Sequence, residues 1–292
     1  MAETTTTVDG VDFTAWIGES EVASDTADRP SATALSALLD YPTGHVGDRL
    51  SPLGHWLHFT PTERQSGLGE DGHPALGGFL PPVPLPRRMW AGSRIEFRSA
   101  IRIGQDLSRT STIDSITFKQ GSTGRLCFIV LRHDVLADDV LALTEHQSLV
   151  YREAAATASP PVPASATGAP APEAWDWARS CLPTEVMLFR YSALTFNAHR
   201  IHYDLPYATG TEGYPALVVQ GPLVATLLLD AFARHNPGHE VTRFEFAAKR
   251  PLFVNQAIQL CGRSTETGRA ELAAVDSRGV VAITATVEFR GA

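Results

Sequence analysis

A chain of 292 residues with 43% hydrophobic and 19% charged side chains can bury a sizeable core, which excludes a disordered protein and allows one large domain or two ordinary ones. The formal charge of −8 is thinly spread and no Lys/Arg run exceeds two residues, which excludes a surface that tracks nucleic-acid phosphates. The longest apolar runs, 216–219 and 223–229, are too short to span a bilayer, so no membrane segment is expected.

The first residues, Met1-Ala-Glu-Thr-Thr-Thr-Thr, lack the basic start and apolar core of a secretory leader, so a cytoplasmic protein is expected. Cys127, Cys181 and Cys261 are odd in number and lack metal-ligand spacing, which fits separate reduced thiols and predicts no metal site. Apolar spacing predicts short helices over 13–17 and 32–39, then a Gly/Pro loop over 67–86. Alternation over 93–151 predicts an antiparallel meander, in which Gln120-Gly-Ser-Thr-Gly124 is a turn and not a nucleophile elbow. Composition then breaks. Residues 154–173 hold five prolines, almost no charge and no periodicity, the signature of a semi-extended linker. It divides the chain into an amino-terminal domain, 1–153, and a carboxy-terminal domain, 174–292.

In the second half, Tyr191-Ser-Ala-Leu-Thr-Phe-Asn-Ala-His-Arg-Ile-His-Tyr-Asp204 reads as an irregular polar segment. After a Pro/Gly/Thr-rich stretch, Gly221-Pro222 opens a run that is apolar nearly all round and ends at Asn236-Pro237-Gly238. That pattern predicts a buried helix with proline in its first turn. Period-two stretches follow over 241–246, 257–262, 270–275 and 280–289. One buried helix followed by a meander is an α+β arrangement, a sheet curled around a helix.

The halves resemble each other. Arg94-Ile-Glu-Phe97 recurs as Arg243-Phe-Glu-Phe246, alternating stretches over 126–131 and 280–289 follow, and Tyr151-Arg152 and Phe289-Arg290 close each half. Three matches in one order point to a duplicated unit. The first half has no run like 223–232, so its central helix is expected to be shortened or lost.

Two imidazoles, an amide and a carboxylate within eight residues, beside the amino end of a buried helix, are the parts for stabilising an oxyanion and moving a proton. His202 titrates near neutrality and suits an acid/base, although a histidine can also merely brace a turn. Asn197 is a candidate site residue or a plain turn residue, and His199 either reacts or braces the loop. Asp204 either orients an imidazole or caps the next turn. Gly221 supplies a helix-start N–H where the dipole favours negative charge. Arg87-Arg88 and Lys249-Arg250 are candidate cations for a phosphorylated carrier arm, against the ordinary reading of solvated charge. No phosphate-cradling glycine loop, nucleotide fingerprint or zinc motif is present in the sequence.

The pattern Asn197-Ala-His199-Arg-Ile-His202-Tyr-Asp204 with Gln220-Gly221 resembles the MaoC-like hydratase family, the (R)-specific enoyl-thioester hydratases and type 2 hydroxyacyl-thioester dehydratases. That family's signature runs Asp, any residue, Asn-Pro, an aliphatic residue and His, with a later His-Gly at the central helix. The wording from Leu194 to Tyr203, with Gly54-His-Trp-Leu-His-Phe59 and the stretch 77–93, is most similar to type 2 dehydratases and mesaconyl-CoA-type hydratases. The resemblance implies a double hot-dog fold in which two antiparallel sheets each curl around a helix, the first helix reduced. It implies reversible, cofactor-free hydration of a 2-enoyl thioester, carried by CoA or a carrier protein and short, branched or dicarboxylic in its acyl part. A homodimer is compatible with it. Asn197 stands where the family has its catalytic Asp, and an amide exchanges no proton at neutral pH. His202 is then left to move the proton, with Asn197 holding water or the thioester and the Gly221 N–H facing the thioester oxygen. His199, Tyr203 and Gln220 would line the substrate site, Gln220 replacing the family's histidine. A thioesterase and a non-catalytic acyl-binding module are the rival readings, because hot-dog folds host several activities.

Overall fold

The computed structural model describes residues 6–8, 10–121, 124–153 and 175–291. The proposed linker, 154–173, lies outside the described residues. Ten strands form one antiparallel sheet: β1 (Ser20–Thr26), β2 (Arg87–Phe97), β3 (Asp106–Gly121), β4 (Gly124–Ala137), β5 (Val140–Arg152), β6 (Trp177–Cys181), β7 (Glu240–Ala248), β8 (Ile258–Glu266), β9 (Arg269–Val275) and β10 (Val281–Arg290). Their order is β1-β3-β4-β5-β2-β7-β10-β9-β8-β6, so each half supplies five consecutive strands and the halves meet at β2 and β7.

The register at that seam explains the repeated tetrapeptide. Ile95 lies opposite Phe244, Arg94 opposite Glu245, and Glu96 opposite Arg243. The two copies therefore face each other across a local two-fold that passes through the Ile95–Phe244 pair, with opposite charges on both sides. Gly92 completes the seam, since a Cβ there would run into the Phe246 carbonyl oxygen.

The other two sequence matches are corrected by the register. Phe97 pairs with Leu143 on β5, and Phe246 pairs with Ala285 on β10. The counterpart of 280–289 is therefore β5, not 126–131, which lies one strand further out on β4. Tyr151-Arg152 and Phe289-Arg290 are likewise not equivalent positions. Any two strands of a sheet share the same alternation, so the pattern alone left a one-hairpin slip undetected.

Among the described residues three α-helices accompany the sheet. The first, α1 (Arg29–Leu38), starts where Asp28 accepts from the Ser31 N–H and Pro30 sits in the first turn. The helix expected over 13–17 is a single 3₁₀ turn, Phe13–Trp16, capped by Asp12. α2 (Glu185–Thr195) was not foreseen, and it makes Tyr191–Thr195 helical rather than irregular. The central helix is α3 (Gly221–His235), whose residues from Leu223 to Phe232 are all buried. It packs against β8, β9 and β10 and reaches β2 of the first half. Each buried leucine stabilises the fold by about 1.5–3 kcal/mol. Asp230 of α3 is held between Arg179 at 2.7 Å and Arg234 at 2.9 Å. Between α1 and β2 the described residues form only the 3₁₀ turns Gly54–Leu57 and Gln65–Gly67, so the first half keeps its sheet without a central helix.

Candidate active site

Local geometry brings the polar segment to α3. α2 ends with Phe196 in the left-handed region (φ 48°), and the Asn197 N–H donates to the Ser192 carbonyl at 2.9 Å. The Asn197 Oδ1 then accepts from the His199 N–H at 3.0 Å, an Asx turn. A 3₁₀ turn, Arg200–His202, follows. It is clamped to the strand-like approach of α3: the Val218 N–H donates to the Ile201 carbonyl (3.0 Å), and the His202 Nδ1 donates to the Val218 carbonyl (2.7 Å). A carbonyl only accepts, so this bond puts the proton on Nδ1 and leaves Nε2 as the basic nitrogen of the neutral ring.

His202 and Gly221 line one cavity of about 1810 Å³, together with Asn197, His199, Tyr203 and Gln220. No acceptor among the described residues takes the Gly221 N–H, and Pro222 has none to offer, so the start of α3 presents an open donor to the cavity. Gln220 ties this helix start to α2 by donating to the Leu188 carbonyl (2.9 Å) and the Ser192 hydroxyl (3.0 Å). The Tyr203 hydroxyl donates to the Ala198 carbonyl at 3.1 Å. Asp204 receives Arg200 at 2.7 Å and the Tyr207 N–H at 3.1 Å, so it caps the next turn and orients no imidazole.

A segment of the first half completes the site. The Arg200 N–H donates to the Asp71 carbonyl (2.9 Å), and Gly72 (φ 88°) packs against the Ala198 carbonyl so closely that a Cβ would collide with it. His73 follows, its Nδ1 donating to the Asp71 carboxylate at 2.8 Å. The rings of His73 and His199 lie 4.1 Å apart, and those of His199 and His202 5.3 Å apart. Neither Asp71 nor His73 is flagged by any local motif; a short Asp-x-His spacing is the one signal the sequence holds. Asp71, His73 and His199 place one carboxylate oxygen and two ring nitrogens within 4.8 Å of one another, a donor set able to take a divalent ion. Ligands about 2.1 Å from one metal sit about 3–3.5 Å apart, so loading would require the rings to close in and Asp71 to release its hydrogen bond.

Burial sets the charge state of this row. It lowers His202 to about 4, against the Val218 bond that favours the cation, and His73 lowers it further. His199 is pushed down by burial and by its neighbours His73 and His202. Burial also lowers His73, with Asp71 opposing, and lowers His58 and His133 elsewhere in the first half. A free imidazole titrates near 6.5, so unfolding takes up protons between that value and the lower folded ones. Stability is therefore fully present above about pH 6.5 and falls as the pH drops towards 4. His202 alone accounts for on the order of 3 kcal/mol of this. Urea unfolding at pH 5 and pH 7 checks it: the folded state should be weaker by several kcal/mol at pH 5, and equal stabilities would contradict buried neutral imidazoles.

The predicted cations part company. Arg87 is buried in an ion pair with Glu212 (2.9 Å), also bonds that residue's carbonyl, and does not line the cavity. Arg88, half-buried, and Lys249 and Arg250, exposed, do line it, and none has an ion pair among the described residues.

Comparison with known proteins assigns the family. The model of hydroxyacyl-thioester dehydratase type 2 matches residues 50–254. The chain belongs to this family. It is 44% identical over 283 residues to a mesaconyl-C(4)-CoA hydratase of Chloroflexus aurantiacus, covering 96% of this chain and 99% of the relative. It is 30% identical over 244 residues to the mitochondrial hydroxyacyl-thioester dehydratase type 2 of Schizosaccharomyces pombe, covering 75% and 79%. Its fold matches HtdX of Mycobacterium tuberculosis with a TM-score of 0.67 at 17% identity, over 94% of this chain and all of that one. The double hot-dog fold follows, and this type 2 dehydratase is a hydro-lyase that interconverts enoyl and hydroxyacyl thioesters. Among its described residues no helix is long and apolar enough to cross a membrane.

The sequence resemblance aligns Asn197 with the Asp of the MaoC-like signature. A carboxylate at this position could accept the His199 N–H just as the amide does, so Asn197→Asp is expected to fold normally and keep hydratase activity within about tenfold. Steady-state rates beside a urea curve check this. An inactive, well-folded variant would show that the Nδ2 donor is required.

Proposed function

We propose that this protein reversibly hydrates a short, branched or dicarboxylic 2-enoyl-CoA, with His202 as acid/base and the Gly221 N–H as oxyanion donor. The observation that carries the reading is the clamp of His202 on Val218: it fixes a neutral imidazole in one tautomer, and its anchor lies just before the open helix-start donor at Gly221, which lines the same cavity as His202. In this reading the thioester oxygen accepts from Gly221, and water attacks Cβ while the His202 Nε2 takes one of its protons. The electron pair of the double bond moves to Cα and onto the thioester oxygen as an enolate, which the donor stabilises. The same proton then passes from His202 to Cα, so OH and H add across the double bond and the catalyst returns unchanged. An imidazole held near 4 is a weak proton acceptor, which favours direct transfer to Cα over a long-lived imidazolium. Asn197 contributes its Nδ2 donor.

The same reading assigns the carboxy-terminal half, 174–292, to catalysis and the helix-poor first half to the acyl group, with Arg88, Lys249 and Arg250 near the CoA phosphates. The relative named a mesaconyl-C(4)-CoA hydratase supports a dicarboxylic substrate. Hot-dog thioesterases usually carry a water-activating carboxylate on the central helix, whereas Asp230 of α3 is locked by two arginines and does not line the cavity, which favours hydration over hydrolysis. Incubation with crotonyl-CoA and with mesaconyl-CoA tests the proposal. Loss of enoyl absorbance without free thiol is expected. Thiol release would identify a thioesterase, and binding without reaction an acyl-binding module.

A further inference from the structure

Where α3 fills the concave face of the second half, the same face of the first half carries polar groups. Ser111 pairs with His133, and His133 with Glu145, across β3, β4 and β5. Arg109 and Gln147, two residues along from Ser111 and Glu145, point to the same side. Most of these groups have partners. His133 is bonded to the Ser111 hydroxyl at 2.9 Å and to Gln147 at 3.2 Å. Glu145 is 3% exposed and receives His55 at 3.0 Å and the Trp56 indole at 2.9 Å. Burial opposes its ionisation, but those hydrogen bonds outweigh it and hold the carboxyl at about 2, below its ordinary value.

Two buried atoms on this face lack a hydrogen-bond partner, Glu145 Oε1 and Arg109 Nε, and Arg109 is the one that can donate. Its guanidinium lies 4.9 Å over the Phe59 ring, its Nε is shielded from solvent with no acceptor, and no carboxylate among the described residues is within ion-pair range. It lines the same cavity as His202, as do His133, Glu145 and Gln147. Burial disfavours the Arg109 charge while Glu21 and Glu145 favour it through space without pairing with it, so its donors stay free, and its planar fork matches a carboxylate. An apolar acyl chain laid on this face would leave the Arg109 guanidinium without an acceptor, which disfavours long hydrocarbon substrates.

We infer that the concave face of the first half is a binding site for the anionic end of the acyl group, with Arg109 as the residue that receives a substrate carboxylate. The inference rests on the thioester-hydratase reading for its substrate, and it deepens that reading by naming what selects a dicarboxylic acyl group over its hydrocarbon analogue.

Unreactive probes separate the two. Calorimetric titration of the full chain with succinyl-CoA and butyryl-CoA, which differ at the far end by a carboxylate against a methyl, reads the site whether or not hydration occurs. The wild type is expected to prefer succinyl-CoA by about 10- to 100-fold, the range of a charged hydrogen bond to an otherwise unpaired group. Arg109→Leu should erase that preference by weakening succinyl-CoA alone, and Arg109→Lys should keep part of it, which separates lost charge from a fold defect. Equal affinity of the wild type for both probes overturns the inference, as does an Arg88→Gln protein that loses the preference while Arg109→Leu retains it. A wild type that prefers succinyl-CoA yet hydrates neither enoyl-CoA would refute the catalytic reading and leave the carboxylate site standing.

Discussion

His202→Ala is expected to lower kcat/KM for enoyl-CoA hydration by about 10²–10⁴-fold, the usual contribution of a positioned acid/base. The imidazole is the one group on this loop that has a free lone pair, a fixed tautomer and a place on the cavity. Removing it strands the Val218 carbonyl but leaves the backbone bond from the Val218 N–H to the Ile201 carbonyl, so the turn should survive. Stability should drop by no more than about 1–3 kcal/mol, the cost of one buried acceptor left unpaired. Enoyl absorbance at several substrate concentrations, beside a urea curve for each protein, separates the two effects. A folded variant with near-normal turnover would reduce His202 to a brace for its turn and remove the basis of the mechanism. In the wild type the same group predicts a rate that declines only as the pH falls through about 4, where the ring takes up its proton.

Gly72→Ala is expected to cost about 10²-fold in activity although Gly72 carries no chemistry. Its Cβ would be driven into the Ala198 carbonyl oxygen, and at φ 88° the backbone there already disfavours any side chain. The clash lies between two backbones, so no rotamer change relieves it, and the first-half loop must lift away from residues 198–200. Asp71 and His73 move with it. Displacement of a catalytic array by about 1 Å is enough for a loss of this size. Gly78→Ala is the control: it lies in the same loop, a Cβ there would meet open space, and it should behave as wild type. Equal activity of the two variants would show that the loop does not hold the site in place.

Much of the second half was legible because its signals are local. The run from Leu223 to Phe232 is apolar on every face, which only a buried helix tolerates, and Gly221-Pro222 marks its start. Strands β7 to β10 contain period-two stretches, and the β8–β9 and β9–β10 turns carry Gly268 and Gly279. α2 was missed because Val186 and Phe189 are exposed on it, at 66% and 67%, which blurs any apolar stripe. The strands β1 and β6 at the two ends of the sheet were missed for a related reason: they are short, and little of either is buried.

Residues 197–204 and 220–221 carry their chemistry in contiguous stretches, so a candidate oxyanion donor and a candidate base could be named from residue type and spacing. Nothing in the chain near Arg87 announces that Glu212 neutralises it, nor that the Arg109 Nε finds no acceptor, because pairing across a sheet or a cavity depends on which segments fold back on each other. Asp71 and His73 belong to the same class: they meet His199 only because Gly72 lets two loops from different halves touch. Side-chain type and short-range periodicity dictate helices, strands and the local chemistry of a turn. Which charges are paired, which imidazoles are stripped of water and which face of the cavity stays polar are settled only when distant segments exclude solvent together, since desolvation belongs to the packed assembly and not to any one residue.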